Sequence, residues 1–128
     1  MPNLEQQYAA TIYKQISDYP GRFAEDSPER KRYGSMAHML PILVRQAGLA
    51  QALAFVQSRR KEPYNKLLEH LTAAVGETDL LAASRQAELS EYIYLTERVM
   101  LALRWYKRFA QSVLKVDMTD QFDDRGGQ

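Results

Sequence analysis

Ser90-Glu91-Tyr92-Ile93-Tyr94-Leu95-Thr96-Glu97-Arg98-Val99-Met100-Leu101-Ala102-Leu103-Arg104-Trp105-Tyr106-Lys107-Arg108-Phe109 is the stretch on which the fold turns. Tyr92, Leu95, Val99, Ala102, Leu103 and Tyr106, continued by Ala110 and Val113, recur at steps of three and four and share one helical face. Leu101, Trp105 and Phe109 add a second apolar row beside it. A helix apolar around so much of its circumference belongs inside a fold. The spacing therefore predicts a central helix from Ser90, as its N-cap, to about Lys115, with Leu103 and Trp105 buried. On the remaining face Arg104, Arg108, Gln111 and Lys115 line up, with Lys107 at the edge.

That row of cations is the clue to function. Helix charges commonly find partners three or four residues away. Arg104 is flanked at those steps by Met100, Leu101, Lys107 and Arg108, and Arg108 by Arg104, Trp105, Gln111 and Ser112. Neither has a carboxylate on its own helix within reach, and the two repel each other by roughly 0.2–0.5 kcal/mol. Two readings follow. Either acids elsewhere in the fold, or solvent, neutralise them, or an external anion does. A ridge of cations at helical spacing suits a phosphodiester backbone.

Other basic runs carry less. Arg30 has Asp26 four residues before it and Arg32 has Glu29 three before it, which describes a solvated helix face. Arg59, Arg60 and Lys61 close a helix before Pro63, where cations complement the negative end of the helix dipole. Phosphate contact from Arg60 or Lys61 is the lesser reading. Together with Arg45, these two would extend the ridge if they share its side. The candidate residues for contact with a phosphodiester backbone are thus Arg104, Lys107, Arg108, Lys115, Arg45, Arg60 and Lys61.

Working outward, every long segment reads as helix. Residues from Asn3 to Asp18 place Leu4, Tyr8, Thr11, Ile12 and Ile16 on one face, and Pro20-Gly21 ends the run. Ser27 is an N-cap with Pro28 at the first helical position, where a missing N–H costs nothing. That helix carries Tyr33, Met36, Ala37, Leu40, Val44 and Ala47, and Pro41 within it is expected to kink it. Gly48 reads as a left-handed cap, with Leu49 opening the next helix at once. After a loop at Glu62-Pro63, a helix bearing Tyr64, Leu67, Leu68, Leu71 and Val75 stops at Gly76. Thr78 or Asp79 caps a short helix through Leu80, Leu81, Ala83 and Arg85. No segment alternates with period two, so strands are not expected. The expected fold is all-α, a compact single-domain bundle of five to six helices over residues 1–116. An acidic tail, 117–128, is expected to be disordered.

Composition sets the outer bounds. A chain of 128 residues, 45% hydrophobic and 26% charged, can build one globular core without staples. It has no cysteine, which excludes disulfides, cysteine nucleophiles and cysteine zinc sites. The first residues lack a basic region followed by an apolar one, and no apolar run approaches a membrane span, so a cytoplasmic protein is expected. The net charge of +1 is unevenly spread. Asp117, Asp120, Asp123 and Asp124 against Arg125 give the tail −3, leaving +4 for residues 1–116.

Enzyme chemistry has little to stand on. His38 and His70 are the only histidines and form no His-Glu-x-x-His motif. No metal or other cofactor is expected. His38 reads as packed within its helix and His70 as lying at an element's surface. Ser35 lies three residues from His38, but no orienting acid or oxyanion turn accompanies the pair. There is no phosphate-binding Gly-rich motif, and Asp120, Asp123 and Asp124 lack the glycine and final glutamate of a calcium loop.

Two segments carry a family resemblance. One is Tyr33-Gly34-Ser35-Met36-Ala37-His38-Met39-Leu40-Pro41-Ile42-Leu43-Val44-Arg45-Gln46-Ala47-Gly48-Leu49-Ala50-Gln51-Ala52-Leu53-Ala54-Phe55. The other is Tyr94-Leu95-Thr96 through Leu103-Arg104-Trp105-Tyr106-Lys107-Arg108-Phe109-Ala110. Together they resemble the small helical subunit of the Cmr complex, the type III-B CRISPR RNA-guided effector. The likeness covers most of Tyr33 to Leu114. It departs where Gln46-Ala47 precedes Gly48 in place of an Asn, and where Tyr106 stands for a more common Leu. The resemblance implies a non-catalytic subunit that stacks with further copies of itself and other Cmr subunits beside the guide-RNA ribonucleoprotein. There it helps form the target-RNA channel, with no membrane partner. A helical adaptor binding only proteins is the alternative.

Overall fold

The computed structural model describes residues 2–19 and 27–118. Six helices account for most of them: α1 (Leu4–Ser17), α2 (Pro28–Ala47), α3 (Leu49–Ser58), α4 (Glu62–Ala74), α5 (Leu80–Gln86) and α6 (Leu89–Ser112). No strand occurs among the described residues. The expected all-α bundle is thus observed, at the upper end of the expected helix count. Residues 119–128, most of the expected tail, lie outside the described residues.

Local sequence explains most helix starts and stops. Asn3 and Gln6 form a reciprocal capping box at the head of α1, with Oδ1 of Asn3 2.8 Å from the Gln6 nitrogen and Oε1 of Gln6 2.9 Å from the Asn3 nitrogen. The Ser27 hydroxyl accepts from the Arg30 N–H at 3.1 Å, and Pro28 occupies the first turn of α2. Asp79, of the two expected candidates, caps α5 by accepting from the Ala82 N–H at 3.0 Å. Gly76, at φ 78°, closes α4: its N–H reaches the Ala73 carbonyl and the next N–H, of Glu77, the Thr72 carbonyl.

Several boundaries differ from expectation. α6 begins one residue before Ser90, with Glu88 as N-cap in extended backbone and no side-chain capping bond. Glu62 and Pro63 are the first residues of α4 and not a loop, because proline fits the first turn where its nitrogen has no partner to lose. The turn between α3 and α4 is Arg59 to Lys61, with Arg60 in left-handed conformation at φ 54°. Pro41 lies inside α2, as expected, and is buried there. Gly48 has a positive φ of 88°, but its ψ of 161° lies outside the left-handed helical region, in a conformation open essentially to glycine alone. α3 has no side-chain cap of its own. Instead Ala50, in its first turn, donates its N–H to the Tyr92 hydroxyl at 3.1 Å.

α6 is the axis of the bundle, packed against α1, α2 and α4, while α3 sits on α2, α4 and α5. Leu95, Val99, Ala102, Leu103, Tyr106 and Ala110 are buried, as their spacing requires. Trp105, expected in the core, is only partly buried. Its row, with Leu101 and Phe109, falls at the margin beside α1. There Phe109 meets Tyr13 edge-on at 5.4 Å and Trp105 leans on Phe109 at 5.5 Å. α2 runs antiparallel to α6: Gly34 and His38 meet Val116 past one end, and Ala50, just beyond α2, meets Tyr92 at the other.

A candidate nucleic-acid interface

The rotation of α6 decides which side chains face out. Leu103 and Tyr106 have no exposed surface, and a residue two positions before Tyr106 or after it lies on the far side of the helix. Arg104 and Arg108 are accordingly exposed, Lys107 partly so. A chain of hydrogen bonds fixes this rotation. The Tyr106 hydroxyl donates to Oε1 of Gln15 on α1 at 2.6 Å, and Nε2 of Gln15 donates to the His70 carbonyl on α4 at 2.9 Å. Nδ1 of His70 then lies 2.7 Å from the Tyr33 hydroxyl on α2. Burial drives the Tyr106 and Tyr33 phenols well above their usual range, so both remain protonated donors. Burial, with Lys66 adding to it, lowers His70 to about 4. The ring is therefore neutral at pH 7, and its Nδ1 accepts from Tyr33. His70, expected at an element's surface, is instead a joint between helices.

The sequence could not show what stands beside the ridge. Arg104, Trp105, Lys107, Arg108 and Gln111 line a surface cavity of about 540 Å³, and Glu5 of α1 completes the lining. α1 lies beside this part of α6, Tyr13 meeting Phe109 and Gln15 meeting Tyr106, and Glu5 in its first turn reaches the cavity. Glu5 thus supplies a carboxylate that helix spacing alone did not reveal. It remains out of ion-pair contact, and among the described residues no acid pairs with Arg104, Lys107 or Arg108. The cavity wall combines three cations, one acid, an amide and the exposed part of an indole.

The other candidates do not join this wall. Lys115 lies past the end of α6, exposed and at φ 61°, where the chain turns so that the Val116 N–H reaches the Ala110 carbonyl at 2.9 Å. Arg45 is exposed in the last turn of α2. Because α2 is antiparallel to α6, that places it toward the head of α6 and away from Arg108. Arg60 and Lys61 occupy the turn before α4, Arg60 exposed and Lys61 partly so. Beside them Arg59 lies over the Phe55 ring at 5.7 Å. None of these four candidates lines the cavity.

The Ser35 and His38 pair is accounted for by packing. His38 is buried, with Nε2 2.7 Å from the Val116 carbonyl, to which it donates. That nitrogen holds the backbone just past α6 in place, and the other, Nδ1, is buried with no hydrogen bond to Ser35.

Comparison with known proteins agrees with the helical fold. Residues 4–113 match the family of CRISPR-associated proteins described as Cas_Cmr5. The CRISPR system Cmr subunit Cmr5 of Thermus thermophilus is 42% identical over 118 residues, covering 90% of this chain and 99% of that protein. The crystal structure of a CRISPR-associated Cmr5 family protein from the same organism superposes with a TM-score of 0.77 at 43% identity. It covers 88% of this chain and 98% of the other. Six helices in this order, the match across nearly the whole bundle and the likeness in three dimensions lead to one conclusion: the chain belongs to the Cmr5 family of CRISPR-associated proteins.

Proposed function

We propose that the chain is the small, non-catalytic subunit of a type III-B CRISPR effector complex in the cytoplasm. In this reading it stacks with further copies of itself and with other Cmr subunits beside the guide-RNA ribonucleoprotein. It contacts the target RNA backbone through Arg104, Lys107 and Arg108. The observation that carries the RNA contact is the exposure of these cations with no acid of the described residues paired to them. Cations left in water by the fold cost little to present and are attracted to any polyanion that comes near. The contact is independent of sequence, as a guide-directed complex requires, since phosphate contacts position a strand without reading its bases. The part-exposed Trp105 adds a flat apolar face beside them, of the kind on which a base stacks. Lys115, Arg45, Arg60 and Lys61 are secondary contacts in this reading, reached by RNA only where neighbouring subunits extend the groove.

A protein-only adaptor is the second reading, and one observation favours it. Leu89, Ile93 and Tyr94 are 74%, 51% and 58% exposed at the head of α6, an apolar surface suited to a protein neighbour. Affinity-tagged chain expressed in its host, with a photoreactive residue replacing Lys107, separates the two. Co-purification with a multi-subunit ribonucleoprotein and cross-linking to the target strand is the expected result. Co-purification with cross-links to protein alone would favour the adaptor, and absence from any ribonucleoprotein would defeat the first reading.

A further inference from the structure

The outer stripe of α6 changes character along its length. Leu89, Ile93 and Glu97 lead, at steps of three and four, to Arg104 and Arg108, with Ile93 and Arg104 about 16 Å apart along the axis. Toward the head the stripe is apolar and acidic. Leu89, Ile93 and Tyr94 stand in solvent within two turns, one contiguous apolar surface. Around them Glu88, Glu91 and Glu97 are exposed, and no cation of the described residues pairs with them. Glu88 and Glu91 suit the positive end of the helix dipole, but Glu97, in the third turn, lies beyond its reach. At three and four residues' distance Glu97 meets only Ile93, Tyr94, Met100 and Leu101.

Tyr94 is ordered in advance. The Arg98 guanidinium lies over its ring, 4.9 Å from the centre, and is itself fixed by the Val75 carbonyl at 2.6 Å and by Glu77 at 3.1 Å. Beside that ring a cleft of about 430 Å³ opens between α5 and α6, with Ala83, Ala87, Glu91 and Leu95 in its lining. An aromatic side chain held still before binding loses little freedom on contact, and the cleft can receive an apolar side chain next to it. Unpaired carboxylates repel RNA, so the occupant is protein, and they select a positively charged one. A two-fold contact of this face with itself would bring Glu88, Glu91 and Glu97 against their own kind, which argues against a second copy docked face to face. We propose that the head of α6 and the α5–α6 cleft form the docking site for a segment of a different subunit, apolar side chains flanked by Lys or Arg, on the same helix as the cationic ridge. This rests on the reading of the chain as a subunit of a larger complex, and not on the RNA contact.

The test places a photoreactive residue at Ile93, which is exposed and outside the core, in the tagged full-length chain expressed in its host. The expected product is a cross-link, within the purified complex, to a peptide of another subunit that carries Lys or Arg within a few residues of the linked position. Glu91→Gln combined with Glu97→Lys should lower its yield about five- to tenfold. Glu97→Lys alone, clear of the helix head, should lower it in the same direction, and circular dichroism matching the parent checks that each variant is folded. Cross-links to a second copy of this chain, to RNA or to a peptide without cations overturn the proposal and leave the subunit reading in place. So does a complex that forms without any cross-link, or a yield indifferent to both variants. If the parent chain itself enters no complex, the subunit reading fails and the docking site with it.

Discussion

A methyl group on Gly34 would lie 2.6–2.8 Å from the side chain of Val116, too close for either to keep its place. Glycine here is a matter of space and not of backbone freedom, since it sits within regular α2. Gly34→Ala is expected to cost about 1–3 kcal/mol by overpacking, seen as a lower urea midpoint with an unchanged slope. His70 makes a pH prediction. Its folded pKa of about 4 lies below the ordinary histidine value of 6.5. Between those values the unfolded chain binds a proton that the folded chain refuses, so stability falls as pH drops from 6.5 toward 4 and levels off below it. Thermal melts of a His70→Gln variant should show a flatter pH dependence across that window than the parent; equal slopes would remove His70 as the cause.

Among the elements, α6 shows how far periodicity reaches. Its buried face follows from steps of three and four, because the 3.6-residue turn fixes which side chains share a side. Which part of the wider apolar arc has a neighbour is a tertiary fact, and Trp105 fell at the margin of the core, only partly covered. Leu103→Ala should therefore cost about 2–5 kcal/mol, and Trp105→Ala distinctly less, measured by equilibrium denaturation. The reverse order would mean that the indole is a core anchor. Capping was legible where a side chain does it, as at Ser27 and Asp79. It was not legible at α3, whose first turn is satisfied by Tyr92 from 42 residues away. Asp79→Ala is expected to cost about 1 kcal/mol, read as a small drop in melting temperature.

At the scale of the molecule, the helical class and family resemblance could be read from the chain because the fold depends mainly on amphipathic pattern and chain punctuation. The ridge was half legible. The spacing put Arg104 and Arg108 together and showed that their own helix offers no acid, but Glu5 comes from another helix whose direction no local pattern encodes. Likewise Arg45, Arg60 and Lys61 joined the candidate set on residue type, and the antiparallel course of α2 and the place of the α3–α4 turn keep them off the cavity wall. The most direct test of the proposed RNA contact is the salt dependence of target-RNA affinity of the assembled complex, with the parent chain and with Arg104→Ala and Arg108→Ala combined. The double variant should fold and assemble, since exposed cations add little stability. It should bind every RNA sequence more weakly, with a log–log salt slope shallower by roughly 0.7 for each phosphate no longer neutralised. A double variant that assembles normally with unchanged affinity and slope would contradict the RNA contact and leave the cations to protein neighbours.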